Sequence, residues 1–305
     1  MERLPSPHIT LEQWRCLVAV VEAGGYAQAA EKLHKSQSSV TYAVQKLERL
    51  LDIKAFQMDG RRAILTPAGD MLYRRARQLL EDSANLERAA GKVSAGWESE
   101  INIAVEALYP TWLLLESFDR FGKESPHTRI NLYETIFQGG PELLLSGQVE
   151  LAILPEVPAG SNGKALPHTS RIVPVAHADH PLHHLGRPPT LNDLRKHRHL
   201  VVRDTSQQRD SRTSTVDVAQ RWTVSNMATS IGAVCRGYGF TWLPEDKIRH
   251  ELASGLLKPL PLGDGDARFA QLYLIFHDPS QIGPGVRRLA QIIEKDALQA
   301  GCNKT

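Results

Sequence analysis

The sequence predicts an α/β protein that opens with a small, mostly helical domain followed by a long linker helix. Three observations lead to this prediction. Helical patterns and a two-strand hairpin pattern occupy residues 1–67. Apolar residues then recur at intervals of seven across residues 68–96. From residue 97 to residue 305, short apolar strands alternate with helical segments, as in α/β domains.

The composition is that of an ordinary globular protein, with 42% hydrophobic and 23% charged residues. Residues 1–97 carry 14 Lys and Arg against 11 Asp and Glu, whereas the remainder carries 22 against 23, so the N-terminal part is mildly basic. Cys16, Cys235 and Cys302 are far apart, which predicts neither a disulfide framework nor a thiolate zinc site. No membrane-spanning run or signal peptide is recognisable, so we expect a cytoplasmic protein with no membrane partner.

The first helix is predicted to begin after Thr10, which forms a capping-box pattern with Gln13. Apolar residues at helical spacing follow, and Gly24 ends the helix. A second helix is predicted over Tyr26–Leu33, and a third begins at the N-cap Ser36. The third helix has one apolar stripe, formed by Val40, Val44, Leu47 and Leu51.

The opposite face of the third helix carries uncharged hydrogen-bonding groups and a single charge. Its residues are Gln37, Ser38, Thr41, Tyr42, Gln45 and Lys46, next to Ser36. Uncharged donors and acceptors near a helix N-terminus suit a recognition helix in a DNA major groove. The alternative is a helical hairpin whose polar face contacts nothing, and these residues alone leave both interpretations open.

A hairpin is predicted after the third helix, in the segment from Lys54 to Gly69. Its Asp59-Gly60 pair is a strong signal for a two-residue turn. Arg61 and Arg62 follow at the tip, where they can meet phosphates or the minor groove. Three helices and a basic hairpin predict a winged helix-turn-helix. Lys35 and Lys46 are its further candidates for phosphate contact.

Residues 29–69 resemble the N-terminal domain of LysR-type transcriptional regulators. The matching features are Ala29-Ala30-x-x-Leu33, Ser36-Gln37, Val40-Thr41, Leu47-Glu48, Phe56, Gly60-Arg61-Arg62 and Leu65-Thr66-Pro67-Ala68-Gly69. Asp52 stands where the family usually has Gly, Met58 replaces a common Arg, and Tyr42 is less usual at its position. Asp tolerates a left-handed backbone better than most residues, so a helix can still end at Asp52.

One long helix is predicted from Ala68 to about Ala95. Leu72, Leu79, Leu86 and Val93 recur in it at intervals of seven, with small residues midway between them. We call these four residues the heptad seam, because this spacing with charged outer positions predicts dimerisation. The alternative is a helix packed on its own domain. The helix also resembles the family's linker helix, which favours dimerisation.

The remainder is predicted to be a parallel α/β arrangement. The predicted strands are Ile101–Val105, Ile130–Glu134, Val149–Leu154, Arg171–Ala176, His199–Val202, Arg221–Val224, Phe240–Leu243 and Gln271–Phe276. Helices are predicted at residues 111–123, 142–146, 192–196, 226–236, 245–253 and 284–298. Residues 143–153 and 237–244 look like landmarks of the LysR family. The resemblance implies two lobes joined by two crossover strands, as in periplasmic solute-binding proteins. Lobe I is expected at about 97–168 and 271–305, and lobe II at about 169–270.

A small effector is expected between the lobes, outside the carboxyl ends of strands. The candidate residues are Glu106, Ala107, Tyr109, Thr111, Phe137, Gln138, Gly139, Arg203, Ser225 and Asn226. Helix N-termini favour anions, and the resemblance implies that carboxylate effectors are common. Glu106 argues against a carboxylate, because its own charge would repel one and attract an amine. Each candidate has the alternative of a routine cap or rim position.

The remaining patterns give no catalytic or cofactor site. His177, His180, His183 and His184 form a cluster without clear ligand spacing, and the family often has a His-Pro-Leu loop here, so we expect no metal. Gly237-Tyr238-Gly239 is followed by a strand, so it predicts a helix exit and not a nucleotide fingerprint. We therefore expect neither an enzyme nor a cofactor.

The resemblance implies a transcriptional regulator that binds promoter DNA as a homodimer or homotetramer and responds to a small-molecule effector. Bending of the DNA and contact with RNA polymerase are implied in the same way. Two alternatives remain: a solute-binding protein with an incidental helical head, and an enzyme built on the α/β body. An export signal would favour the first, and a catalytic constellation would favour the second.

Overall fold

The computed structural model describes residues 6–59, 62–206, 216, 218–263 and 267–302. The chain forms two compact units, Met1–Ala95 and Gly96–Thr305. Within the described ranges, no helix is long and apolar enough to cross a membrane.

The N-terminal unit contains three helices, a hairpin and a long helix. The elements are α1 (Leu11–Ala23), α2 (Tyr26–Leu33), α3 (Gln37–Leu51), β1 (Phe56–Asp59), β2 (Arg62–Leu65) and α4 (Pro67–Ser94). Strands β1 and β2 pair antiparallel, with Phe56 opposite Leu65 and Asp59 opposite Arg62. The predicted helix pair and hairpin are thus present. We call β1, β2 and their turn the wing.

The helix ends follow the predicted local chemistry. Thr10 and Gln13 form the capping box of α1, and Gly24 ends that helix in the left-handed region. Asp52 ends α3 in the left-handed region, with φ 52°. His34 does the same after α2, with φ 53°.

The core of this unit lies where α1, α2 and α3 meet. Leu17, Val40, Val44 and Leu47 are fully buried there. The first turns of α4 close this core, because Ala76 is buried in it and Leu72 and Leu80 pack against it.

The residues of the heptad seam differ in their surroundings. Leu72 packs on the core of its own domain, because the 3.6-residue period of the helix turns it toward the same face as Ala76. Farther along, Leu79 is 44% exposed and Leu86 is 71% exposed. The side chain of Val93 lies outside the described residues. The exposed seam therefore begins at Leu79.

The C-terminal unit is built on one mixed sheet. Its strands are β3 (Glu100–Glu106), β4 (Arg129–Thr135), β5 (Leu151–Leu154), β6 (Gly163–His177), β7 (His199–Val202), β8 (Arg221–Val224), β9 (Phe240–Pro244), β10 (Leu257–Pro259) and β11 (Arg268–Phe276). The order is β4-β3-β5-β11-β6-β9-β7-β8, and β10 pairs with β6. The α-helices are α5 (Thr111–Glu124), α6 (Gly139–Leu145), α7 (Leu191–Leu194), α8 (Met227–Cys235), α9 (Arg249–Ala253) and α10 (Pro284–Cys302).

The expectation of a parallel sheet holds only near its two ends. Strand β3 runs parallel to β4 and β5, and β7 runs parallel to β8 and β9. Strands β6 and β11 run antiparallel to each other and to their outer neighbours. Both are longer than the sequence predicted, because each continues from one half of the sheet into the other.

Separate hydrophobic cores lie in the two halves of the sheet that β6 and β11 cross. One contains Ile103, Phe121 and Leu289, and the other contains Val175 and Leu243. These cores fall on the two sides of the lobe boundaries expected from the sequence, and we call the two halves lobe I and lobe II. The carboxyl ends of β3 and β7 then come from different lobes.

Gly69→Ala should destabilise the N-terminal unit, because a Cβ at Gly69 would lie 2.0 Å from the carbonyl oxygen of Ala55. Such overpacking costs about 1–3 kcal/mol, measurable by urea unfolding. Gly91→Ala in the same helix is the matched control, since nothing lies within 4 Å of its Cβ position. It should be neutral or stabilise by about 0.5–1 kcal/mol. Equal effects of the two substitutions would contradict this packing.

Candidate DNA-binding face and ligand cleft

The exposed face of α3 is organised by its N-cap. The Ser36 hydroxyl accepts a hydrogen bond from the Ser39 amide at 3.2 Å and lies 3.0 Å from the Ser38 hydroxyl. Beyond this cap, Gln37, Ser38, Gln45 and Lys46 are exposed, Tyr42 is 60% exposed, and Thr41 is half-buried. The face thus presents hydrogen-bonding groups to solvent that are uncharged except for Lys46, as the sequence predicted.

The structure describes some of the side chains that were predicted to contact phosphates. Lys35 is exposed, and its ammonium pairs with Glu12 at 2.9 Å, so its phosphate contact stays a prediction. Arg61 lies outside the described residues. Arg62 begins β2, but its side chain is not described. Lys46 is exposed as well.

A buried carboxylate that the sequence reasoning did not assign a role connects α3 to the wing. Glu48 accepts hydrogen bonds from the amides of Ala55, at 2.8 Å, and Phe56, at 3.3 Å. The Phe56 ring packs edge-on against Tyr26 at 5.8 Å. The resemblance included Leu47-Glu48 and Phe56, so the signal was present, but the contact between them depends on the fold.

A groove beside α3 adds two cations to the candidate face. It has a volume of about 700 Å³ and is lined by Thr41, Gln45, Arg49 and Lys54, among others. Arg49 is exposed, and the Lys54 side chain is 79% exposed even though it lies 3.4 Å from Glu48. The sequence reasoning missed both residues, because their place beside Gln45 depends on how the chain turns after Asp52.

The C-terminal unit has a cleft between lobes I and II with a volume of about 370 Å³. Its lining is mainly apolar, with a few polar groups. It comprises Glu106, Leu108, Ile136, Phe137, Pro155, Glu156, Ile172, His199, Leu200, Val201, Val202, Met227, Thr241, Trp242, Pro244 and Arg268. Glu106 and Phe137 are the predicted effector residues that line it.

Glu106 at the end of β3 is 4% exposed. Burial raises the pKa of its carboxyl to about 8, and the negative charge of Asp204 acts in the same direction. Hydrogen bonds from the backbone amides of Phe137 and Ala107 oppose this rise in pKa. Its Oε2 atom is buried without a hydrogen-bond partner. Glu106 is thus largely protonated at neutral pH.

A cluster of hydrogen bonds joins the lobes beside Glu106, and we call it the latch. The Thr205 hydroxyl accepts from the Ile136 amide at 2.9 Å and donates to the Ile136 carbonyl at 3.2 Å. The Thr205 amide donates to that same carbonyl at 3.2 Å. A Cβ at Gly139 would lie 1.9 Å from the Thr205 hydroxyl, so only glycine permits this approach. Phe137, which lies between Ile136 and Gly139 in the sequence, has a left-handed backbone with φ 57°.

The other predicted effector residues lie away from the cleft lining. Ala107 and Tyr109 are buried, and Tyr109 belongs to the lobe I core. Thr111 accepts a hydrogen bond from Lys247, a second contact between the lobes. Asn226 caps its own helix, accepting from the Ala228 amide at 2.7 Å. Gln138, Arg203 and Ser225 are exposed. Two of the predicted effector residues thus line the cleft, and the effector-binding role of the whole set stays a prediction.

The sequence reasoning missed the aromatic wall of the cleft. His199 stacks on Phe240 at 5.0 Å and meets Trp242 edge-on at 5.3 Å. Burial lowers the pKa of His199 to about 4, so its ring is neutral at neutral pH. Arg268 lies over the Trp242 ring at 5.5 Å. The alternation of side chains along β9 could have indicated that Trp242 faces the cleft. No sequence signal indicated the same for His199.

The histidine cluster does not form a recognisable ligand set. His180 caps a short 3₁₀-helix, and its ring packs against His197 at 4.9 Å. Burial and neighbouring histidines lower the pKa of His180 to about 4. Among the described residues, no group of three or more His, Cys, Asp or Glu side chains is arranged to hold a metal ion.

Family models match both units. Residues 11–70 match the bacterial regulatory helix-turn-helix protein of the lysR family, and residues 94–297 match the LysR substrate binding domain. The chain belongs to the LysR family of transcriptional regulators. It therefore carries a helix-turn-helix DNA-binding domain and an effector-binding domain, and its family consists of regulators.

Individual relatives of this LysR-type regulator match most of its length. The chain is 31% identical over 255 residues to the probable HTH-type transcriptional regulator YhaJ of Escherichia coli, covering 82% of this chain and 85% of YhaJ. It is 28% identical to the HTH-type transcriptional regulator AceR of Acinetobacter baumannii, covering 96% and 99%. The fold matches CrgA, a LysR-type transcriptional regulator from Neisseria meningitidis, with a TM-score of 0.52, 20% identity and coverage of 97% and 99%.

Glu106 should make the regulator's effector-binding domain less stable as pH rises. Its folded pKa of about 8 lies above the ordinary value of 4.5, so the folded state binds the extra proton between these values. Stability is retained below pH 4.5 and is lost as pH rises to 8, by up to about 1.4 kcal/mol per pH unit. Glu106→Gln should lack this slope in urea unfolding measured across that range. Parallel curves for the two proteins would contradict a buried, protonated Glu106.

Proposed function

We propose that this LysR-type regulator binds dyad-symmetric promoter DNA as a homodimer or homotetramer, under control of a small molecule bound in the cleft. The observation that carries the proposal is the exposed, mostly uncharged face of α3, held to the wing through the buried Glu48. A helix presented in this way fits the major groove. Such a protein works where promoter DNA is found, in the cytoplasm.

Sequence readout is assigned to the exposed polar residues of α3. Amide side chains such as Gln37 and Gln45 can form paired hydrogen bonds with adenine, and serine hydroxyls bond to several bases. Tyr42, 60% exposed, offers a ring to a thymine methyl and a hydroxyl to a phosphate. Lys46, Arg61 and Arg62 are assigned to phosphates, and the exposed Arg49 and Lys54 join them.

Self-association is assigned to the exposed part of the heptad seam. Leu79 and Leu86 are 44% and 71% exposed on α4, and large apolar side chains at this spacing pack well against a second helix. Two copies would then present two winged domains, which suits a dyad-symmetric site.

Regulation is assigned to the cleft and its latch. A ligand shifts a conformational equilibrium only by its difference in affinity for the two states. Because the latch holds the cleft closed beside Glu106, a ligand that needs more or less room there would change lobe closure. A change in lobe closure would shift the arrangement of the subunits in the oligomer. The shifted subunits would then contact RNA polymerase differently.

The direct test is binding of the purified full chain to the DNA upstream of its own gene, compared with a scrambled duplex of equal length. We expect specific binding, protection of a site with two half-sites, and a dimer or tetramer in sedimentation. Equal affinity for both duplexes across several salt concentrations would overturn the proposal.

Gln37→Ala should change base preference, because Gln37 is exposed at the first position of α3. Loss of one paired contact costs about 1–3 kcal/mol at the base concerned and much less elsewhere. Binding to a panel of single-base operator variants measures this. A matched control is Gln78→Ala on α4, whose amide bonds to Asp82 at 2.9 Å. An unchanged preference profile for Gln37→Ala would remove the residue from base readout.

Arg61→Ala and Arg62→Ala should weaken binding to every duplex and flatten its salt dependence, because phosphate contacts release counterions. Each lost phosphate contact lowers the slope of log affinity against log salt by about 0.9. Arg74→Ala is the control, since Arg74 pairs with Asp70 at 2.9 Å within α4. Wild-type slopes in both wing variants would show that the wing does not contact the backbone.

A further inference from the structure

The charge of the cleft lining indicates which ligands it accepts. Its buried polar residues are Glu106, His199 and Thr241, which are 4%, 5% and 2% exposed. None of them carries a positive charge at neutral pH, since His199 is neutral. The lining cation, Arg268, is exposed and lies over Trp242. An exposed acid, Glu156, lines the cleft as well.

Of the two helix starts that the sequence offered for an anion, that of α8 is capped by its own side chain, and Thr111 at that of α5 does not line the cleft. At the start of α5, Thr111 accepts a hydrogen bond from Lys247. At the start of α8, the Asn226 side chain accepts from the Ala228 amide at 2.7 Å. Among the described residues that line the cleft, a ligand carboxylate would find no buried cation to offset its lost hydration, which is costly.

Several buried atoms in the same region need a partner. Oε2 of Glu106, Nδ1 of His199 and Oδ2 of Asp204 are buried without hydrogen-bond partners. Asp204 immediately precedes the latch residue Thr205, so its carboxylate adds negative charge on the lobe II side. A carboxylate oxygen only accepts hydrogen bonds, and a protonated carboxyl keeps one oxygen that accepts, so a donor on the ligand would satisfy an oxygen of Asp204 or Glu106.

The rest of the lining is apolar and partly aromatic. Trp242 and Phe137 provide flat surfaces, and Leu108, Ile136, Val202 and Met227 surround them. A volume of about 370 Å³ suits a small organic molecule of about one or two rings.

We propose that the cleft binds a small, largely apolar ring compound whose polar end donates hydrogen bonds to Glu106, and that it rejects the corresponding carboxylate. This inference rests on the proposed role of the cleft as the effector site. The donor can be an ammonium or a hydroxyl group. An ammonium would displace the proton of Glu106, whereas a hydroxyl would leave it in place.

A matched series of phenethylamine, phenethyl alcohol and phenylacetate tests the proposal on the full chain by isothermal titration calorimetry and thermal shift. We expect the amine or the alcohol to bind at least about tenfold more tightly than the acid, since a buried hydrogen bond to a charged or polar partner is worth this much. Titration in buffers of different ionisation enthalpy distinguishes the donors: only the amine should release a proton near pH 6.5. Tighter binding of phenylacetate, or no binding of any compound up to its solubility, would overturn the proposal.

Two variants locate the binding. Glu106→Gln removes the titrating group and should abolish proton release and reduce amine affinity about tenfold, while sparing the alcohol. Val202→Phe fills the cleft and should reduce binding of all three compounds. If Glu106→Gln binds the amine as well as wild type does, Glu106 is not the acceptor and the inference fails.

DNA binding measured without ligand separates this inference from the proposed function. Specific DNA binding together with failed ligand discrimination would overturn only the ligand class. Correct ligand discrimination without specific DNA binding would overturn the regulatory role and leave the ligand class intact.

Discussion

The antiparallel pairing of β6 and β11 is the constraint on which the C-terminal unit depends. Both strands run through the middle of the sheet, so separate cores form in the two halves of the sheet that they cross. A cleft between the lobes follows directly, with the ends of β3 and β7 facing it from opposite sides. Any movement of one lobe against the other must bend these two strands, and the latch and the hydrogen bond from Lys247 to Thr111 also join the lobes.

In the N-terminal unit, Glu48 fixes the wing to α3. Its buried carboxylate bonds to two amides at the start of the wing. The position of the wing relative to α3 thus depends on hydrogen bonds from one charged side chain as well as on apolar packing. Removing such a partner from buried donors costs about 1–3 kcal/mol. The polar face of α3 could remain intact in that case while the wing shifts.

The winged domain could be predicted almost completely from sequence, because its signals are local. Caps, turns and apolar spacing at Thr10, Gly24 and Ser36 act within a few residues, and the observed helix ends agree with them. The crossing strands were predicted too short, since their continuation depends on pairing between distant segments. For the same reason the cleft was located through Glu106 and Phe137, while His199, Trp242 and Thr205 were missed. The ion pair between Lys35 and Glu12 could not be predicted, because the two residues are 23 positions apart in sequence.

The latch uses backbone groups from lobe I but a side chain as well as backbone from lobe II. Lobe I contributes the backbone amide and carbonyl of Ile136, and lobe II contributes the Thr205 hydroxyl and amide. The side chain at position 136 is therefore free to drift toward other apolar shapes that suit a different ligand, while closure is retained. Positions 139 and 205 have no such freedom, since one must lack a Cβ and the other must supply a hydroxyl. Ligand preference and lobe closure can thus evolve independently, although the residues responsible are neighbours.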